Sequence, residues 1–240
     1  MPHTHPANAS NQLLASLPDK DRLRFLERCE IVELGFAELL NEPGEPISHV
    51  YFPTESFISL VSTIEDGRPS LEVGLIGDEG MLGITLILGV DISPLRAVVQ
   101  GKGQALRMAT EPFCRELEHS PALKHQLKLY LYVLIRQFAQ AATCTRFHVL
   151  EARLARWLLM SQDRAHSDEF HVTHEFLAYM LGVRRVGVTK AATSLQNQQL
   201  ISYHRGNIKI LNREGLKMAA CTCYEGDALI YANSLLLRCA

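Results

Sequence analysis

Hydrophobic positions along the chain follow distinct rhythms, and each rhythm predicts a different kind of element. The first dozen residues, MPHTHPANASNQ, are polar and include two prolines, so a poorly ordered start is expected. From Leu13 to about Cys29, the apolar set Leu13, Leu14, Leu17, Leu23, Phe25 and Leu26 suggests short helical pieces. From about Ile31 to Met108, short apolar stretches alternate with turn chemistry at 41–46 (NEPGEP), 65–67 (EDG), 77–80 (GDEG) and 101–103 (GKG). The stretches at 50–52, 57–63, 70–76, 96–100 and 104–108 read as strands of an antiparallel sandwich or small barrel. FISLVST and SLEVGLI form the clearest hairpin, with Asp66-Gly67 supplying the turn.

At Ser120-Pro121 the period changes to three or four. Serine at an N-cap followed by proline at the first helical position is a start signal. Leu123, Leu127, Tyr130, Leu134, Phe138, Ala141 and Thr145 then recur at helical spacing up to about His148. That predicts a helix of about 28 residues, roughly 40 Å long, which exceeds what one small domain covers. A dimer seam explains such a stripe, and an intramolecular bundle is the alternative. A second helix is expected from about Leu150 to Gln162, followed by a polar connection over 163–170.

Residues 173–211 carry the most specific pattern. Thr173 is placed to cap the short helix HEFLAYML, and Gly182 suits a left-handed stop. A second helix follows from about Arg184 to Gln198. Phe176, Leu177, Met180, Leu181, Val183, Val188, Ala191, Ala192 and Leu195 point inward on this reading. Arg184, Arg185, Thr189 and Lys190 are left facing out, and Gly187 permits close backbone approach. A short helix, a glycine turn and a second helix with basic first turns is the arrangement that enters the major groove. LISYHRGNIKIL then predicts a two-stranded wing with Arg205 near its tip, placed to touch phosphate.

Charge sharpens this picture. The net charge is only −2, but residues 1–120 carry 9 Lys/Arg against 18 Asp/Glu, and residues 121–240 carry 15 against 8. Between Arg184 and Lys217 seven cations face a single anion, Glu214. The split implies an acidic module joined to one that binds a polyanion. The six cysteines are scattered; only Cys221 and Cys223 are close, and C-x-C without a second pair or a nearby histidine is a weak metal signal. These two are read as idle or buried thiols, with oxidation near the DNA-binding unit as the alternative, and no metal ligands are assigned. There is no signal-peptide pattern and no apolar run near 20 residues, so a cytoplasmic protein without a membrane partner is expected. No phosphate-binding loop, nucleophile elbow, paired catalytic carboxylates or His-x-x-x-His spacing suggests an enzyme. His171 and His174 are read as surface or capping residues.

The order of acidic β-domain, long helix and winged helix-turn-helix resembles the Crp/Fnr family of bacterial regulators. The resemblance runs from about Leu13 to Leu216 and is strongest over 150–159 (LEARLARWLL) and 173–211. It implies an α+β fold: an antiparallel cyclic-nucleotide-binding-like β-roll sensor (13–120), a dimerisation helix (121–149) and a winged helix-turn-helix (150–225). It further implies a homodimer on palindromic double-stranded DNA, with RNA polymerase as a candidate partner. The departures matter. In the stretch 81–99, Gly83 matches the glycine of the family's phosphate cassette and Arg96 its phosphate-binding arginine. Ile84 stands where a ribose-binding glutamate is expected, and Ala97 replaces the following hydroxyl residue. An isoleucine accepts no hydrogen bond from a ribose, so tight cAMP binding is not expected. Gly83 and Arg96 remain the candidate effector residues, with Arg96 free to bind another anion or hold a salt bridge. Cys29 alone cannot supply an N-terminal iron–sulfur cluster, and no haem is expected; the effector is unknown. Val186 stands where many family members carry a glutamate, so a different operator is expected. A protein-contacting helix-turn-helix beside a small-ligand module is the competing reading.

Overall fold

The computed structural model describes residues 11–64 and 70–234. Of the polar start, residues 1–10 lie outside this range, but Asn11 and Gln12 correct the expectation of disorder. Asn11 is buried, accepts from the Leu14 N–H as N-cap of α1 (Gln12–Ala15), and donates to the carbonyls of Pro53 (3.0 Å) and Gly80 (2.9 Å). Helix α2 (Asp19–Leu26) follows, as the leucine spacing predicts.

The β-region forms a roll of two antiparallel sheets. One has the order β1 (Glu30–Leu34), β7 (Gly103–Ala109), β3 (His49–Pro53). The other runs β2 (Leu39–Asn41), β6 (Arg96–Gly101), β4 (Phe57–Thr63), β5 (Ser70–Ile76). Strands β4 and β5 match the predicted hairpin, while its Asp66-Gly67 turn lies outside the described residues. Strands β1 and β2 are additions to the reading; they are mostly exposed and lack a clean alternation. Phe25, Phe52 and Phe113 meet inside the roll, with Phe25 edge-on to both partners. Phe113 comes from α3 (Thr110–His119), another unpredicted element, which tolerates Pro112 because it falls in the first turn.

Helix α4 (Pro121–Phe147) has 27 residues and starts where predicted, the Ser120 side chain accepting from the Leu123 N–H. Its predicted stripe is not the seam. Leu123, Leu127, Tyr130 and Leu134 are buried in the core of the chain's own roll with Phe138 packed against it, Ala141 is buried, and Thr145 is exposed. A Cβ on Gly80 would overlap the Tyr130 ring, so glycine is what lets the helix come this close. Gln137 donates to the Leu75 carbonyl (3.4 Å) and accepts from its N–H (3.3 Å), satisfying backbone on β5, one of the two edge strands of its sheet.

Helix α5 (Leu150–Ala165) begins the C-terminal unit, followed by β8 (Glu169–His171), α6 (His174–Leu181), α7 (Arg185–Asn197), β9 (Ile201–His204), β10 (Asn207–Ile210), α8 (Arg213–Ala219) and α9 (Cys223–Ser234). The expected connection over 163–170 is shorter than predicted, since α5 runs to Ala165 and β8 begins at Glu169; β8 pairs with β10, giving the wing sheet the order β8-β10-β9. Helix α9 packs on α4. No helix among the described residues is long and apolar enough to cross a membrane.

Candidate nucleic-acid interface

Local chemistry builds the helix-turn-helix as expected. Thr173 accepts from the Phe176 N–H (3.1 Å) to start α6, and Gly182 ends it at φ +64°, where a side chain would be strained. Leu177, Met180, Leu181, Val188, Ala191, Ala192 and Leu195 are buried together with Leu154, Leu158, Ile201 and Ile208; Phe176 and Val183 are only half-buried. Packing this face fixes which residues of α7 look outward. Arg184, Arg185, Thr189 and Lys190 are exposed, and Gly187 is half-buried between them. Arg205 sits exposed at the wing tip at φ 48°, followed by Gly206 at φ 84°, the positive pair a tight hairpin turn demands. Thus all six residues assigned to DNA from sequence lie on the helix-turn-helix and its wing.

Thr189 is less free than its exposure suggests. Its hydroxyl lies 3.0 Å from His174 Nδ1 and 3.2 Å from the Arg185 carbonyl. Both contacts are satisfied when Nδ1–H donates to Thr189 and the hydroxyl donates to the carbonyl. The His174 ring stacks on Tyr203 with centroids 4.3 Å apart, tying α6 to the wing. Burial, and then the Arg185 guanidinium, hold His174 below the ordinary histidine value, so it stays neutral beside the basic helix. The sequence predicts a surface or capping place for His174; its stacking depends on Tyr203, 29 positions away, for which no local signal exists.

The start of α7 opens on a cleft of about 910 Å³ between the C-terminal unit and the roll. Arg96 lies on its wall. It donates through Nε to Glu42 (2.8 Å) and through Nη1 to the Tyr179 hydroxyl (2.7 Å), so it joins roll to α6 by a salt bridge and a hydrogen bond. Gly83 is elsewhere. At φ 97° it precedes a short 3-10 turn (Ile84–Leu88) and lines a separate apolar cavity of about 90 Å³, which Arg96 does not line. The two candidate effector residues are therefore not brought into one pocket, and the cavity at Gly83 falls well below the roughly 300 Å³ at which ligand pockets begin. Further contacts lock the units together: Arg164 on α5 pairs with Glu79 (2.6 Å), Ser70 donates to the Tyr179 carbonyl (2.9 Å), and Phe36 packs on Phe176 with centroids 5.3 Å apart. Among the described residues, the side chains grouped closely enough to hold a metal ion are Cys144, His148, Cys221 and Cys223, at the end of α4 and the α8–α9 link.

Residues 152–219 match the Crp-like helix-turn-helix domain family. No curated protein matches the chain. Its fold is similar to a protein of the Crp/Fnr family from Eubacterium rectale (TM-score 0.68, 15% identity, covering 87% of this chain and 97% of that one). FixK2 from Bradyrhizobium japonicum is similar at TM-score 0.67 and 15% identity, with 80% and 98% covered. A CRP-family transcriptional regulator from Thermus thermophilus follows at TM-score 0.66 and 20% identity, with 79% and 96% covered.

Proposed function

With a Crp-like helix-turn-helix carried on the Crp/Fnr fold as the premise, we propose that the chain is a sequence-specific DNA-binding transcription regulator acting as a homodimer on a palindromic operator. One observation carries the reading: Arg184, Arg185, Thr189 and Lys190 line the exposed start of α7, beside a wing tipped by Arg205. A helix N-terminus with bidentate donors reads base edges, and a wing cation holds the backbone. Neutral His174 holds Thr189 without adding a competing charge.

Dimerisation is supported by a stripe of α4 other than the one expected. Lys128, Tyr132, Ile135, Ala139, Ala142 and Arg146 recur at alternating spacings of four and three, and all are exposed. That is the a/d rhythm of a two-helix seam, with an apolar centre and charged ends. Tyr132 at 44% and Ile135 at 56% exposure are large side chains for an isolated helix to leave in water. The sensor is degenerate: Ile84 offers no ribose acceptor, and Arg96 is already held by Glu42 and Tyr179. An effector acts on this reading by weakening the contacts of the roll with α5 and α6, not by filling a cyclic-nucleotide site.

Selection of duplexes from a random pool tests the proposal, with affinity followed against salt. The expected result is a palindromic site and a steep fall of log affinity with log salt, about 0.9 per phosphate contact. Arg185→Ala should relax one base position at a cost of about 1–3 kcal/mol, while Arg205→Ala weakens every duplex alike and lowers the salt slope by about 1. No enriched site, with or without cell extract supplied as a source of effector, overturns the reading.

A further inference from the structure

The far end of α4 closes on the chain's own tail through a group of side chains that DNA binding does not use. Cys144 stands in the last turns of α4, and His148 is its C-cap, donating its N–H to the Cys144 carbonyl (3.1 Å). Cys221 and Cys223 come from the link between α8 and the start of α9. The four ligand atoms all lie within 4.8 Å of one another. Cys144 Sγ is 3.5 Å from Cys221 Sγ, and Cys223 Sγ is 3.4 Å from His148 Nδ1. A tetrahedral zinc ion with Zn–S of about 2.3 Å and Zn–N of about 2.05 Å requires ligand separations of about 3.8 Å for S···S and about 3.5 Å for S···N. Both short pairs match these to within a few tenths of an ångström.

Burial and charge agree. The three cysteines are nearly inaccessible and His148 is half-buried, so the group is closed to solvent on most sides. Thiols are weak hydrogen-bond partners, and little is gained by gathering three of them around an imidazole as neutral groups. A Cys144–Cys221 disulfide would occupy two and leave Cys223 and His148 without a role. Three thiolates around a divalent ion leave one net negative charge, and Arg153 and Arg156 line the same small recess as Cys144.

We infer that Cys144, His148, Cys221 and Cys223 form a Cys3His site for a borderline-soft divalent cation of the zinc class. Three thiol protons leave to solvent as three metal–sulfur bonds form, and His148 binds through neutral Nδ1. All four positions come from protein, so the site is structural: it clips the α8–α9 link to the end of α4, across the break at His148-Val149 where α5 turns away. The inference stands on these ligands alone and does not require the DNA-binding reading.

The test uses the full chain, purified anaerobically and reduced, loaded with Zn2+ alone or Co2+ alone. One equivalent of zinc should survive gel filtration, and the cobalt form should show tetrahedral d–d bands with thiolate-to-cobalt charge transfer. Cys221→Ser with Cys223→Ser should abolish both signals. Cys29→Ser, Cys114→Ser and Cys239→Ser together should leave them intact. His148→Ala should keep the charge-transfer band while weakening affinity roughly tenfold or more, with circular dichroism reporting that each variant is folded. The wild-type cobalt spectrum needs no variant to fold. A folded, reduced wild-type chain without that spectrum overturns the site, as does stoichiometric zinc in the Cys221/Cys223 double variant, or anaerobically isolated protein found only as a metal-free Cys144–Cys221 disulfide.

Discussion

Glu72 on β5 offers a quantitative test of how the roll is joined to α5. Ser59 Oγ lies 2.7 Å from Glu72 Oε2 and 2.7 Å from Gln100 Oε1, while Gln100 Nε2 donates to Ser161 on α5 (2.6 Å). A hydroxyl has one proton to give, yet both neighbours present acceptor oxygens. Protonated Glu72 resolves the conflict by donating to Ser59, which donates onward to Gln100. Burial pushes the Glu72 carboxyl up to about 7, against the opposing pull of the Ser59 hydrogen bond and of Arg156 and Arg164. The sign follows from proton linkage. The folded state holds this proton more tightly than the unfolded one, so stability falls as pH rises from the ordinary value of 4.5 through about 7. Fully ionised, the folded protein loses about 3 kcal/mol from this group.

Glu72→Gln places an amide donor where the protonated carboxyl stood and removes the titration. We expect the variant and the wild type to be equally stable near pH 4.5. At pH 8 the variant should be more stable by up to about 3 kcal/mol, the gap opening between those limits. Urea unfolding at fixed protein concentration, read by fluorescence of the single tryptophan, Trp157, measures the difference, and groups common to both proteins cancel. A difference that stays constant from pH 5 to pH 8 would refute the protonated network.

Three other outcomes are expected. Ile135→Glu should weaken self-association roughly 100-fold, from about 1 kcal/mol of lost burial per protomer plus like-charge repulsion across the seam; sedimentation at graded concentrations reads it, and an unchanged dimer would mean another surface is used. Arg164→Ala strands Glu79 in a pair whose side chains are 9% and 13% exposed, and should cost about 3–5 kcal/mol in denaturant melts; a loss under about 1 kcal/mol would show that water already reaches the pair. Gly182→Ala should cost about 1–2 kcal/mol, because its φ of +64° strains any Cβ and that atom would stand 3.1 Å from the Ser70 carbonyl; a neutral effect in the same melts would contradict a left-handed stop for α6.

Several features with a local cause are legible in the chain before it folds, though the Asn11 cap of α1 is a local feature that the polar start conceals. Ser120 and Thr173 cap the helices they were expected to cap, Gly182 stops α6, and the short apolar runs at 57–63 and 70–76 are strands with those bounds. The outward face of α7 was legible for the same reason, since burying one side of a short helix leaves the other to solvent. Tertiary structure decided what depends on distant partners. An apolar stripe states that a helix face is buried but not against what, so the stripe from Leu123 is expected as a seam although it serves as core; the roll's arrival at Gly80 and Leu75 settled it. Short strands β1, β2 and β8 carry little pattern of their own and exist because β7, β6 and β10 pair with them. Gly83 and Arg96 are 13 positions apart yet line different cavities, and Arg96 is held on the cleft wall by Glu42 and Tyr179. The C-x-C at 221–223 lacked a second pair and a nearby histidine in sequence; folding brings Cys144 and His148 to it from the end of α4, a juxtaposition that no local spacing encodes.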